Sequence, residues 1–167
     1  MGQKLTKGDV QRIEDEISHR KLVVRKELIE AVKEARAQGD LSENFEYYAA
    51  KREKNINESR IRYLERMLKT AEVIDTESAP DEVGLNRKVE IYYVDDDETE
   101  TFKIVTSIRG DSLKNRISII SPIGKAVMGH HVGDRVTVHV NDKISYDVII
   151  RSIGPEEEEL VEEMSTY

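Results

Sequence analysis

Asp40 and Glu43 stand three residues apart in the stretch Glu34-Ala35-Arg36-Ala37-Gln38-Gly39-Asp40-Leu41-Ser42-Glu43-Asn44-Phe45-Glu46-Tyr47. Residues three apart in a turn entering a helix lie on the same side. Two carboxylates so placed are oxygen ligands of the kind that suit Mg²⁺, an ion that takes one or two protein carboxylates and keeps several waters. Alone they hold it weakly, so a working site needs ligands from a second molecule. The same acids have a plainer reading, because Asp and Glu at a helix start offset the positive end of the macrodipole and cap free amides. Glu46 fits that plainer reading, and spacing does not separate the two for Asp40 and Glu43. Ser42 and Asn44 can hydrogen-bond a ligand or cap the helix. Arg36, Lys51 and Arg52 lie one to three turns away, where they could meet phosphate or form a solvated face with intrahelical pairs such as Glu30 with Lys33 and Arg62 with Glu65.

These residues need a scaffold, and the flanking periodicity supplies one. From Thr6 to about Arg36 there is no Pro, and Val10, Ile13, Ile17, Val24, Leu28, Ala31 and Ala35 follow at spacings of 3, 4, 7, 4, 3 and 4. The pattern predicts a helix with a narrow apolar seam interrupted around Arg20 and Lys21. A second helix is expected from Ser42 or Glu43 to about Glu72, with Tyr47, Ala50, Ile61, Leu64, Leu68 and Ala71 on a 3,4 register and Lys54 and Asn57 filling the seam between. Only Gln38-Gly39-Asp40-Leu41 separates the two, so the second must run back antiparallel along the first. Gly39 suits the left-handed end of the first helix and Ser42 the cap of the second. At about 30 residues per arm the hairpin is on the order of 45 Å long, with 39–44 at its tip.

Around 74–85 the period breaks into Asp75-Thr76-Glu77-Ser78-Ala79-Pro80-Asp81, a polar segment that reads as a domain boundary. The expected organisation is a hairpin over 1–75, a linker over 76–84, a second domain over 85–154 and an acidic tail over 155–167. Within the second domain, β-rich runs at 88–94, 99–108, 117–120, 135–140 and 145–153 and a short helix from Ser121-Pro122 to Gly129 predict a small antiparallel sheet with one helix packed on it. The fold class is therefore α+β. The tail, with Glu156, Glu157, Glu158, Glu159, Glu162 and Glu163, is expected to be a solvated or frayed helix.

Composition narrows the function. Charged residues are 36% and aromatics 5% of the 167, with no Trp and no Cys. One large core is disfavoured, and disulfides and thiolate metal sites are excluded. No run approaches the roughly 20 apolar residues that span a bilayer, which leads us to expect a cytoplasmic protein with no membrane partner. The net charge of -8 is uneven, +1 over 1–75 and -9 over 76–167, so free DNA binding is a poor fit while local basic stripes could meet nucleic acid inside a larger assembly. His130-His131 is expected to be an exposed loop rather than a metal pair, since adjacent residues point apart.

Several of these segments resemble the Gre family of bacterial transcription elongation factors, of the GreA type. The signature elements are Ala35-Arg36, Gly-Asp-Leu-Ser-Glu-Asn at 39–44, Glu46-Tyr47 and Ala49-Ala50-Lys51. Ala71-Glu72-Val73-Ile74-Asp75, the run Ile-Ser-Pro-Ile-Gly-Lys-Ala-Val-Met-Gly at 120–129 and Val132-Gly133-Asp134 extend the likeness over about 5–153. The resemblance implies an FKBP-like second domain. It also implies a hairpin that enters the secondary channel of RNA polymerase, where Asp40 and Glu43 help hold a second Mg²⁺ and orient the water that cleaves a backtracked transcript. Arg36 and Lys51 match a basic patch facing the extruded RNA 3′ segment, with Arg52 beside them, and Ser42 and Asn44 could contact RNA. No tightly bound cofactor, no independent nuclease activity and a monomer are expected.

Phe45 and Tyr48 are bulkier than the family pattern expects; they could stack on RNA or pack the tip. Three rival readings compete: a Gre-like inhibitor that fills the channel without stimulating cleavage, against which Asp40 and Glu43 argue; a prolyl isomerase; and a plain coiled-coil adaptor. The isomerase needs an aromatic-lined pocket, for which the second domain offers only Tyr92, Tyr93, Phe102, Tyr146 and Tyr167. The adaptor would not require this tip.

Overall fold

The computed structural model describes residues 2–39 and 44–159. Asp40, Leu41, Ser42 and Glu43 lie outside the described residues, as do 160–167. The chain divides into two compact units, Met1–Val73 and Ile74–Tyr167.

The first unit is the helical hairpin. Thr6 opens it through a reciprocal capping box: its hydroxyl accepts from Asp9 N at 3.1 Å while its own N–H donates to Asp9 Oδ2 at 3.0 Å. The first arm is α1 (Lys7–His19), a π-turn (Arg20–Val24) and α2 (Arg25–Ala37); the return arm is α3 (Phe45–Thr70). The interruption expected at Arg20 and Lys21 is thus a change of helical pitch with the chain still helical on both sides. Gln38 closes α2 and Gly39 has φ 138°, a left-handed backbone that favours glycine. The arms bury a thin core of Leu5, Ile13, Ala35, Ile61, Leu64 and Met67. Ala71, assigned to the helix from periodicity, is already extended and leads into β2 (Glu72–Val73). That strand pairs in parallel with β1 (Lys4–Leu5), Lys4 opposite Glu72 and Leu5 opposite Val73.

The second unit is a curled five-stranded sheet in the order β5-β4-β3-β7-β6, formed by β3 (Arg87–Tyr93), β4 (Glu98–Val105), β5 (Arg116–Ser118), β6 (Arg135–His139) and β7 (Ser145–Glu156). Pairing is antiparallel except for the short edge strand β5, which runs parallel to β4. The residues 106–108, expected to continue β4, instead turn into a 3₁₀ segment, Ser107–Arg109, that carries the chain round to β5. Two irregularities in the β3–β7 register help bend the sheet. Its concave side is filled by Val89, Ile91, Phe102, Ile104, Val136, Val138, Val148 and Ile150, closed by Val127 from α4 (Pro122–Val127). Ser121 caps α4 by accepting from Gly124 N at 3.1 Å, with Pro at the first turn.

Two sequence expectations need correction here. The segment expected as a linker over 76–84 is packed at its end: Val83 sits in the core, and the buried guanidinium of Arg87 donates to the carbonyls of Pro80 at 2.7 Å and Glu82 at 3.1 Å and to Gly154 O at 2.7 Å. The described part of the tail is not helical either. Glu156 ends β7 opposite Arg87, and Glu157 N donates to Asn86 O at 2.7 Å. Its carboxylate reaches Lys103 at 3.6 Å and Lys88 at 3.8 Å, while Glu159 meets Arg109 at 3.1 Å. Charge pairing with basic residues of the unit, which a run of Glu does not reveal on its own, holds this segment extended.

Candidate functional site

At the distal end of the hairpin the two arms are joined by Asn44. Its Oδ1 accepts from Tyr47 N at 3.0 Å, making it the N-cap of α3, and its Nδ2 donates at 2.6 Å to Ala35 O, a carbonyl in the last turn of α2 that also accepts from Gln38 N at 3.3 Å. The cap expected of Ser42 therefore belongs to Asn44, because the helix begins at Phe45. One side chain thus satisfies an orphan amide at the start of α3 and, through the second lone pair of Ala35 O, ties that start to the end of α2. The capping half of this role was readable from the Asn; the bond across to Ala35 had no sequence signal.

Around that junction the cations Arg36, Lys51 and Arg52 are all exposed. Arg36 lies in the last turn of α2, where a positive charge also complements the helix dipole. Lys51 and Arg52 lie in the second turn of α3. Phe45 is 84% exposed, so it packs against nothing substantial among the described residues, whereas Tyr48 makes an edge contact with Tyr47 at 5.4 Å between ring centroids. Asp40, Ser42 and Glu43 fall between Gly39 and Asn44, outside the described residues.

Midway along the hairpin is a polar layer that the periodicity only hinted at. Glu16 Oε2 accepts from Arg20 Nε at 2.7 Å and from Arg60 Nε at 2.9 Å, and Glu16 Oε1 accepts from Arg60 Nη2 at 3.3 Å. Arg20 Nη1 donates to Asn57 Oδ1 at 3.0 Å, and Asn57 Nδ2 returns a bond to Arg20 O at 3.3 Å. Burial pushes the Glu16 carboxyl up, but the hydrogen bonds and charges of Arg60 and Arg20 outweigh it and hold the group below its ordinary value. Arg25 adds a two-pronged pair with Glu58 at 2.9 and 3.0 Å. The Glu16-to-Arg20 spacing of four and the non-apolar Asn57 were the signals available.

In the second unit, His130 and His131 do not diverge as far as adjacent residues usually do. Both ring Nδ1 atoms approach Asp134 Oδ2, at 3.4 and 4.0 Å, and the His131 N–H donates to the same oxygen at 2.9 Å. That backbone bond leads the causes holding Asp134 below the ordinary carboxylate value. Among the described residues no group of three or more His, Asp or Glu side chains could hold a metal ion. Phe102 is core, and Tyr92 is stacked under Arg151 at 4.4 Å. No described helix is long and apolar enough to cross a membrane.

Residues 3–73 match the family model described as transcription elongation factor, N-terminal, and residues 77–155 match that described as transcription elongation factor, GreA/GreB, C-term. The chain belongs to the GreA/GreB family. Among curated relatives it is 42% identical over 145 residues to transcription elongation factor GreA of Mesomycoplasma hyopneumoniae strain 7448, covering 87% of this chain and 91% of that one. It is 45% identical over 137 residues to GreA of Thermoanaerobacter pseudethanolicus (81% and 87% covered) and 42% identical over 152 residues to GreA of Rhizobium etli strain CIAT 652 (90% and 96%). Among solved structures it is similar to GreA factor homolog 1 of Thermus thermophilus, at 27% identity and a TM-score of 0.43 over 93% of this chain and 100% of that one. The two family segments meet at the boundary between the two units, and the second ends at 155, before the paired carboxylates of Glu157 and Glu159.

Proposed function

We propose that this family member is a transcript cleavage factor: a protein that binds RNA polymerase, presents Asp40 and Glu43 in its secondary channel, and stimulates endonucleolytic cleavage of a backtracked nascent RNA. The observation that carries the reading is the junction at the end of the hairpin, where Asn44 ties α2 to α3 on either side of the two acids and exposed Arg36, Lys51 and Arg52 surround it. A stiff pair of helices ending in two carboxylates and a basic collar suits delivery of catalytic groups to another protein's active site.

The donor set fits Mg²⁺, since both groups are hard oxygen ligands, and Asp40 and Glu43 would hold it jointly with acids of the polymerase. When bound there, the ion supplies Lewis-acid polarisation of water and of the phosphate oxygens. The chain's own contribution is to bring carboxylates and hydrogen-bond acceptors near the scissile phosphate, and to lay Arg36, Lys51 and Arg52 along the displaced RNA 3′ segment, where guanidinium groups pair with phosphate. Ser42 is a further hydrogen-bonding group for water or RNA. Without polymerase the protein has no nuclease activity.

The test is cleavage in stalled, backtracked elongation complexes with Mg²⁺, comparing the protein with its Asp40→Asn, Glu43→Gln double variant. Cleavage with the unsubstituted protein only, at equal polymerase binding, supports the reading. No cleavage with either, binding being intact, would make the protein an occupant of the channel that does not stimulate cleavage and turn attention to exposed Phe45.

A further inference from the structure

The π-turn at Arg20–Val24 lies beside the polar layer. In a regular helix Arg20 O would accept from residue 24; here it accepts from Arg25 N, one residue later, and its second lone pair is taken by Asn57 Nδ2. A π-turn holds one residue more than the α-turn it replaces, so the helix beyond it is rotated about its own axis relative to an unbroken α-helix. Side chains inserted into the backbone ladder are a recognised cause of such irregularities. Asn57 is 2% exposed and does this from the opposite arm. The residues pushed outward by the wider turn, Leu22 and Val23, are 65% and 42% exposed.

The apolar pattern does not itself select this rotation. Beyond the turn the stripe is wide: Val24, Leu28, Ile29, Ala31, Val32 and Ala35 are all at least half-buried. Spacings of 7, 4, 3 and 4 from Ile17 onward would serve an unbroken heptad seam equally well. What distinguishes the observed rotation is polar: Glu16 with Arg20 and Arg60, Arg20 with Asn57, and Arg25 with Glu58. A buried polar residue at a seam position is the best-attested device for fixing register, at some cost in stability.

We propose that Asn57, with Glu16, Arg20 and Arg60, sets the rotational phase of α2, and so acts as a positioning group for the residues that α2 carries to the tip. The catalytic half of this inference rests on the reading given above; the phase half does not. Replacing Asn57 by Leu removes the inserted amide and leaves an apolar seam residue, so the hairpin stays folded while α2 is released to the unbroken α phase. Removing Leu22 instead excises the extra residue of the turn, so Arg25 N becomes the ordinary partner of Arg20 O and both halves keep their present faces.

The chain has no Cys, so spin labels can be introduced pairwise at exposed Lys33 and Glu53 on the distal half, and at exposed Asp15 and Arg66 on the proximal half. With Asn57→Leu the distal distance distribution is expected to shift by about 5 Å, the scale of turning a helix 10–12 Å across through roughly one residue, while the proximal distance stays. At saturating factor, transcript cleavage should fall at least about tenfold with polymerase affinity changed less than about twofold, the signature of lost positioning rather than lost binding. The Leu22 deletion should keep the wild-type distal distance and most of the cleavage rate. Unchanged distances in Asn57→Leu, or unfolding of the deletion variant, would overturn the phase assignment. A shifted distance with full cleavage would overturn the positioning role. If the unsubstituted protein stimulates no cleavage, the functional reading and with it the positioning role fail, and the distances alone decide the phase.

Discussion

Arg109, with no exposed surface, donates from Nη2 to Glu159 Oε1 at 3.1 Å and to Asn86 Oδ1 at 2.8 Å, and Asn86 Nδ2 donates to the same Glu159 oxygen at 2.7 Å. A carboxylate beyond the family boundary at residue 155 thus completes a charge network inside the second unit. Removing one member of a buried pair costs several kcal/mol because the other charge stays behind. Glu159→Ala should therefore destabilise the second unit by about 2–4 kcal/mol. Glu158→Ala, at an exposed position, should change it by less than about 0.5 kcal/mol. Urea denaturation followed by the amide resonances of β3 and β7 distinguishes the two, and equal effects would mean that the network contributes nothing specific.

The junction at Asn44 predicts a separate loss. Asn44→Ala deletes an N-cap and leaves Ala35 O without that donor, which should cost the hairpin about 1–2 kcal/mol. Asn44→Asp should recover the cap to Tyr47 N but not the bond to Ala35 O, and so restore only part of it. Circular dichroism melts of the full chain would show the order wild type, Asp variant, Ala variant.

Glu16 makes the hairpin acid-sensitive. Its pKa is lower in the folded state than its ordinary value of 4.5, so its contribution is fully present above about pH 4.5 and is lost as pH falls through the lower folded value. Stability measured from pH 6 downward should decline more steeply for the wild type than for Glu16→Gln, whose curve is flatter and already lower at pH 6. Parallel curves would show that the two arginines do not favour the ionised form.

A small residue is demanded at Gly124, where an added Cβ would lie 2.2 Å from Ser118 O and 2.9 Å from Ser121 Oγ. Backbone cannot yield as a side-chain tip does, so Gly124→Ala should destabilise the second unit by about 1–3 kcal/mol despite the better helix propensity of Ala. A gain in melting temperature would contradict the close approach of α4 to the 118–121 turn.

Much of the architecture was readable where packing repeats locally. Val136 and Val138 alternate with exposed Arg135, Thr137 and His139, so a half-buried strand shows in five residues. The Thr6 cap, the Ser121-Pro122 start and the antiparallel arms carry equally local signals. What escaped was non-periodic or set by a distant partner. Leu5 is fully buried where a two-residue strand pairs with one 68 residues later, Leu5 opposite Val73. The arginine and glutamate of the Arg109–Glu159 pair are 50 residues apart and look like ordinary surface charges. The π-turn was masked because heptad spacing passes through it unbroken, leaving the interruption visible but not its form. At the candidate site the cap was expected of Ser42, with capping only one of two readings for Asn44, which is the residue that caps α3; the family signature rather than any spacing singled out Asp40 and Glu43.

The parallel pairing of β1 with β2 at the open end of the hairpin has a mechanical consequence. With Asn44 fastening the far end and the Glu16 layer and the Arg25–Glu58 pair the middle, the described residues of the two arms are joined at several points along their length. An axial push on the distal end loads these joints in parallel, as shear, and sliding by one helical turn, about 5.4 Å, requires them all to break together. Peeling from one end would break them one at a time, so the hairpin should resist compression along its axis far better than it resists unzipping.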